Sequence, residues 1–200
     1  MKIGLYFVLL LALSGCLSRK PLTKQTFALT VSHPAHVTAP ANAPSLTLRQ
    51  IFVAAPFDSP AFTYRTGQFS YERDPYAGFI VSPAETLNDP IRALLQNSGK
   101  FSSVNAADSS IRGDLDLEIS VTQLYGDFQN KSQPAAVLEM HFVMFKQPEH
   151  FSRSSKSIIV DKTYSRRIPL KASTAGAFVE AVNQALGQVV TQFADDVPVK

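Results

Sequence analysis

The sharpest pattern in the chain lies between Asp114 and Thr122. Leu115, Leu117, Ile119 and Val121 alternate there with Asp116, Glu118 and Ser120, the two-residue period of a strand with one apolar and one polar face. Leu46 to Ala55 is rich in β-forming residues and stops at Pro56, which marks a second strand. Ala136 to Phe145 carries apolar residues on both faces, as a central strand would, and Ser157 to Ile168 forms another long strand. Phe27 to Val31 is a short early strand, and Ser32 to Pro44, with three prolines, is a surface loop. Ala61 to Arg73 reads as a hairpin turning at Thr66-Gly67-Gln68, with Phe62 and Tyr64 on one face of its first arm.

Two segments switch to helical spacing. Ser82-Pro83-Ala84-Glu85 combines a capping serine, a proline at the first helical position and a glutamate three residues after the cap. Leu87, Ile91, Leu94 and Leu95 follow on one face, and Gly99 is the natural stop. Pro90 is expected to kink this helix or restart it after Asn88. After a short extended stretch at Phe101 to Val104, the long strands lead to a last helix over Thr174 to Ala194. Its stripe is Phe178, Val182, Ala185, Val189 and Phe193. The predicted fold is α+β: an antiparallel sheet with two main helices packed on one face, a two-layer sandwich.

The first residues fall outside this plan. Lys2 precedes an apolar run, Ile3 to Leu13, that is shorter than the ~20 residues a membrane-spanning helix needs but suits a secretory signal. The run ends in Leu13-Ser14-Gly15-Cys16, which is similar to the bacterial lipobox, where the signal is removed and the cysteine acylated. Cys16 is the only cysteine, so an internal disulfide is impossible and lipidation is its expected use. Leu17 follows it, where an aspartate would favour inner-membrane retention, so the resemblance to Gram-negative lipoproteins implies the outer membrane, facing the periplasm. The organisation reads as a signal peptide over 1–15, an acylated cysteine and tether over 16–25, and one domain over 26–198. Loss of residues 1–15 removes Lys2 and leaves 18 basic against 16 acidic residues, a net charge of +2. That balance, without a basic block, argues against nucleic-acid binding.

Catalytic and metal chemistry find little to stand on. No G-x-S-x-G elbow is present, and Asn97 to Ser103 lacks the first glycine of a phosphate loop, so it reads as a helix C-cap followed by Lys100. His33 and His36 flank Pro34 in a loop, with no cysteine or nearby carboxylate to complete a metal site. His141 alternates with Glu139 and suits a cross-strand polar pair. Asp114, Asp116 and Glu118 form an acidic strand face, either solvated or a docking patch for a basic partner. No catalytic residue, metal or cofactor is expected.

The aromatic residues are more suggestive. Phe57, Phe62, Tyr64, Phe69, Tyr71, Tyr76 and Phe79 fall within 23 positions of hairpin and loop sequence. About half are expected in the core; the others would form an exposed aromatic surface for protein or lipid contact.

The stretch from Ile51 to Val104 resembles the ABC-type transport auxiliary lipoproteins. The matching features are a strand ending at Pro56, the turn Phe57-Asp58-Ser59-Pro60, Tyr64-Arg65 in the hairpin, a helix opening at Pro83 and ending at Ser98-Gly99, and Phe101 to Val104. The order of the later strands and last helix extends the likeness over about Phe27 to Val197. Two positions depart from the pattern: Ser59 stands where the family usually has arginine, and Phe79 at a place usually held by tryptophan, of which the chain has none. The resemblance implies a non-enzymatic outer-membrane lipoprotein subunit of a lipid-transport system built from a membrane transporter and mammalian-cell-entry (MCE) proteins. It implies docking of the periplasmic MCE assembly, support of envelope integrity, and a homo-oligomer, in some relatives a ring. The candidate contact residues are those of the aromatic hairpin and its flanks, Phe57, Phe62, Tyr64, Arg65, Phe69, Tyr71, Tyr76 and Phe79, with acylated Cys16 holding the outer-membrane lipid. A periplasmic lipid-binding carrier and an assembly lipoprotein of another envelope machine remain open alternatives.

Overall fold

The computed structural model describes residues 23–30, 37–146 and 157–198. Eight strands form one sheet: β1 (Gln25–Phe27), β2 (Leu46–Val53), β3 (Ala61–Arg65), β4 (Tyr71–Phe79), β5 (Val104–Asn105), β6 (Leu115–Asp127), β7 (Ala135–Lys146) and β8 (Ser157–Pro169). Two helices, α1 (Pro83–Asn97) and α2 (Ala175–Asp196), complete the α+β fold.

The sheet is built around β6. Its outer edge pairs antiparallel with β7, which pairs antiparallel with β8. Its inner edge is shared end to end by two strands, both parallel to it: β2 along Leu115 to Val121, and β3 at Gly126 and Asp127. The sheet is therefore mixed rather than wholly antiparallel. The physical reason is the connection between β2 and β6, which passes through α1; a helical crossover returns the chain in the same direction. The remaining pairings are parallel for β1 with β4 and β2 with β5, and antiparallel for β3 with β4.

The helices form where the local signals put them. Ser82 accepts the Glu85 N–H, and the Glu85 carboxylate accepts the Ser82 N–H, closing the capping box at the start of α1. Gly99 adopts φ +72° just past the helix end, a conformation open to glycine at little cost. Pro90 neither breaks nor restarts the helix, which runs unbroken from Pro83 to Asn97. A mid-helix proline costs roughly 3 kcal/mol, and the burial of Leu87, Ile91 and Leu95 at 0% exposure offsets that cost. Thr174 caps α2 by accepting the Ala177 N–H.

Both helices cover one face of the sheet. Phe178 near the start of α2 meets Phe62 and Tyr64 of β3, while Phe193 near its end stacks on Phe142 of β7, with ring centroids 4.6 Å apart and planes 19° from parallel. Leu46, Leu48, Leu117, Ile119, Leu138, Met140 and Met144 fill the space between the layers. The pleat sends the alternate residues to the other face, which carries no helix. Phe52, Ser120, His141 and Thr163 lie in register across that face on four successive strands.

Candidate functional site

The aromatic set singled out in the sequence divides three ways in the fold. Phe57, Phe62 and Phe79 are buried, at 8%, 1% and 3% exposure, so they build the domain and are not available as a contact surface. Phe62 is the centre of this group, touching Phe27, Phe79 and Phe178 with centroid separations of 5.6, 4.8 and 5.0 Å. Its place follows from the pleat, which turns Phe62 and Tyr64 together toward the helices. Tyr64 is partly buried between Phe128 and Phe178, and its hydroxyl donates to Asp74 at 3.2 Å. Burial, then the Asp74 charge, push its phenol well above the ordinary range.

Arg65 acts inside the hairpin. Its Nε donates to the Gly67 carbonyl at 3.3 Å and its Nη2 to the Gln68 carbonyl at 3.1 Å. The N–H groups of Thr66 and Gly67 donate to the Ser70 carbonyl, and the Thr66 hydroxyl to Glu72. The five-residue turn is thus braced from within, and Phe69 stands at its tip 86% exposed. Tyr71 and Tyr76 are also exposed, at 46% and 50%. Tyr71 lies on the helix-free face, where its ring meets Phe57 and Tyr125 at 6.0 and 5.5 Å. Tyr76 sits on a local bulge in β4 whose Tyr76 and Ala77 N–H groups both donate to Asp74.

The helix-free face also contains features that the sequence pattern did not single out. Phe52 is 56% exposed. It reaches that side because β2 shifts register between Leu48 and Ile51, which reverses the alternation; the apolar run around it gave no sign of the bulge. Ile80 and Val81, just past the end of β4, are exposed as well.

The acidic strand face is solvated only in part: Asp114 is exposed, Glu118 is half-buried and Asp116 is buried. Asp116 is buried and receives a two-pronged bond from Arg49 of β2, with Nε and Nη2 at 2.9 and 2.8 Å from its oxygens. Asp114 accepts the backbone N–H and hydroxyl of Ser45, which hold its carboxyl below the usual range. At the far end of β6, Asp127 pairs with Arg167 of β8. His141 pairs across the sheet with Asp161 at 2.7 Å, while Glu139 accepts from Thr122. The expected polar pairing of these two strand residues is present, but each finds its own partner.

Among the described residues no group of three or more His, Cys, Asp or Glu side chains is placed to hold a metal ion, and no helix is long and apolar enough to cross a membrane. Cys16, His33 and His36 lie outside the described residues. A groove of about 520 Å³ runs between Leu29 and α1, lined partly by Asp89, Arg92 and Gln96. A second, of about 330 Å³, lies between the loop at Val37 to Pro44 and the C-terminal turn of α1.

Comparison with solved structures supports the fold independently. A protein of Xanthomonas campestris, XCC0632, superposes with a TM-score of 0.71 at 24% identity, over 85% of this chain and 92% of its own. An uncharacterized protein superposes with a TM-score of 0.67 at 13% identity, over 88% and 99% of the two chains. No curated protein matches the sequence. The family described as the ABC-type transport auxiliary lipoprotein component matches residues 27–194, which takes in every strand from the end of β1, all of α1, and α2 to within its last two residues. By that match, the chain belongs to the ABC-type transport auxiliary lipoprotein family.

Proposed function

We propose that this lipoprotein is a non-catalytic docking subunit of an MCE-type lipid-transport system, held on the periplasmic side of the outer membrane by acylated Cys16. The reading rests on the family match across residues 27–194, joined to the single cysteine at the end of the lipobox-like run. Residues 1–15 are then the removed signal, 16–25 the tether, and 26–198 the working domain.

The contact surface consists of the aromatic side chains that the core leaves outside. Tyr71 and Tyr76 of the hairpin belong to it, with Phe52 on the helix-free face. Half-exposed aromatic residues backed by buried ones suit partner contact, because the ring is already held and loses little freedom on binding. Confinement to the membrane plane raises the local concentration of the subunit, so modest pairwise contacts suffice for several copies to gather around one periplasm-spanning partner.

Site-specific photo-crosslinking in cells tests this reading. A photoreactive residue at Phe52, Tyr71 or Tyr76 is expected to capture an MCE protein, with a second copy of the subunit as an additional adduct at some positions. Capture of no MCE protein from any of the three positions rejects it.

A further inference from the structure

The direction of β1 ties the anchor to one end of the domain. β1 runs parallel to β4 with Gln25 opposite Ala77 and Phe27 opposite Phe79. The chain therefore arrives at Gln25 from the side of Tyr71 and the hairpin turn. Along β3, Arg65 lies four residues beyond Ala61, which pairs with Gly78, so the hairpin end is ~13 Å from that pair at ~3.3 Å per residue. The turn carries Phe69 several ångströms farther. Cys16 is nine positions before Gln25, a separation that cannot exceed ~30 Å. The tip of the hairpin therefore lies within the span that the sequence allows between Gln25 and Cys16.

Chemistry at that end suits a lipid surface. Phe69 is the most exposed of the large hydrophobic side chains named at the surface, at 86%. Its turn is braced by Arg65 and by the shared Ser70 carbonyl, so the backbone that carries the ring is held away from the body of the domain. The stretch Leu17 to Lys24 contains Arg19, Lys20 and Lys24 with no acidic residue, and Arg73 is exposed on β4 beside the turn. Aromatic rings favour the headgroup boundary, basic residues favour anionic headgroups, and an acylated protein gains a firmer hold from a second membrane signal.

We propose that the β3–β4 hairpin tip is a membrane-contact element. Phe69 enters the headgroup boundary of the same bilayer that holds Cys16, and the domain stands on its hairpin with Ile80 and Val81 at the end away from the lipid. This rests on the reading that Cys16 is acylated, but not on the identity of any protein partner.

The absence of tryptophan makes the test direct. Mature acylated protein carrying Phe69→Trp, and in parallel Ile80→Trp, is reconstituted into phosphatidylethanolamine–phosphatidylglycerol vesicles. The expected result is a blue-shifted emission at position 69, quenched by lipids bearing a nitroxide near the headgroup and several-fold less accessible to iodide than in detergent-free solution. Position 80 is expected to stay iodide-accessible and insensitive to the nitroxide lipid. Water-like emission at position 69 in vesicle-bound protein overturns the proposal, as does protection of position 69 only after a protein partner is added. Failure of acylation is read separately, by mass spectrometry of the purified protein and by its failure to float with the vesicles.

Discussion

The two faces of the sheet use the same strands and reach opposite ends. On the helix-covered face most side chains are apolar and buried, and rings meet ring to ring, as where Phe142 meets Phe193 and Tyr164. On the helix-free face the strands carry ion pairs, a half-exposed Phe52 and a small aromatic cluster of Phe57, Tyr71 and Tyr125. The first face is largely closed: its rings pack on one another and on the helices. The second is partly organised, with buried charges neutralised in place and rings left half open. Such a surface can engage a partner without first unfolding anything, whereas the helix-covered face can do so only if α1 or α2 leaves.

The strongest test of that contrast is truncation on each side. Phe142→Ala or Phe193→Ala removes a fully buried ring and should cost about 3–5 kcal/mol, read as a fall in the denaturant midpoint. Because the two rings stack, the double variant should cost less than the sum of the singles. Phe52→Ala should stay within about 0.5 kcal/mol of the parent, as exposed positions generally do. Equal costs at Phe52 and Phe142 would abolish the distinction between the faces.

Next in size is the ion pair that settles the helix-free side of β2 and β6. Asp116 has a side chain only 3% exposed, while Arg49 reaches water at 35%. The pairing with Asp116, chiefly through the side-chain hydrogen bond, holds the guanidinium pKa above its ordinary value. Arg49→Ala removes the two-pronged partner of a buried carboxylate and should cost about 1–3 kcal/mol. The paired change Arg49→Met with Asp116→Leu should cost clearly less, since it removes both charges together. If the paired change is as damaging as Arg49→Ala, the contact is acting through shape and not charge.

How far these features could be read from the chain depends on whether they are local. The capping box at Ser82, the alternation from Leu115 to Val121 and the apolar stripe of α2 are local patterns, and each appears in the structure at its expected place. The parallel pairing of β2 and β3 with β6 is not local, because no residue pattern records which strand a crossover returns to. The expected restart after Pro90 is absent for the same kind of reason: the proline's cost is local, whereas the burial of Leu87 and Ile91 that offsets it is tertiary. Among the candidate contact residues, composition revealed that the aromatic cluster was too large for the core. It did not reveal the division, which depends on the pleat sending Phe62 toward α2 and on the bulge sending Phe52 away. The burial of Asp116 likewise needed Arg49, which lies 67 positions away.

Gly126 provides a smaller effect on the helix-covered side. A Cβ added there would meet the Tyr64 ring at 2.8 Å and the Phe128 ring at 2.9 Å, and both rings pack edge to face across the glycine. Gly126→Ala should cost about 1–3 kcal/mol through forced repacking. Gly176 has open space around it and lies in the first turn of α2, so Gly176→Ala should instead be neutral or stabilising by up to about 1 kcal/mol. The two substitutions, identical in chemistry, are best compared by thermal unfolding of otherwise unchanged protein.

The smallest expected effect is the response to acid, and its sign follows from two carboxylates. At Asp127, burial acts to raise the pKa, but the Gln129 N–H and the Arg167 guanidinium together outweigh it and leave the group below its ordinary value. Asp114 is lowered by the backbone N–H and hydroxyl of Ser45. A carboxyl with a depressed pKa in the folded chain binds fewer protons there than when unfolded, so its contribution is complete above the unfolded pKa and fades as pH falls through the folded one. Stability should therefore hold between neutral pH and the upper end of the carboxylate range, then decline on further acidification. Asp127→Asn should lower stability at neutral pH and flatten that decline, because the amide cannot titrate and pairs less well with Arg167. Denaturant midpoints followed from neutral to acid pH give the comparison; an unchanged slope in Asp127→Asn would mean that the β6–β8 pair adds nothing to the acid response of the helix-free face.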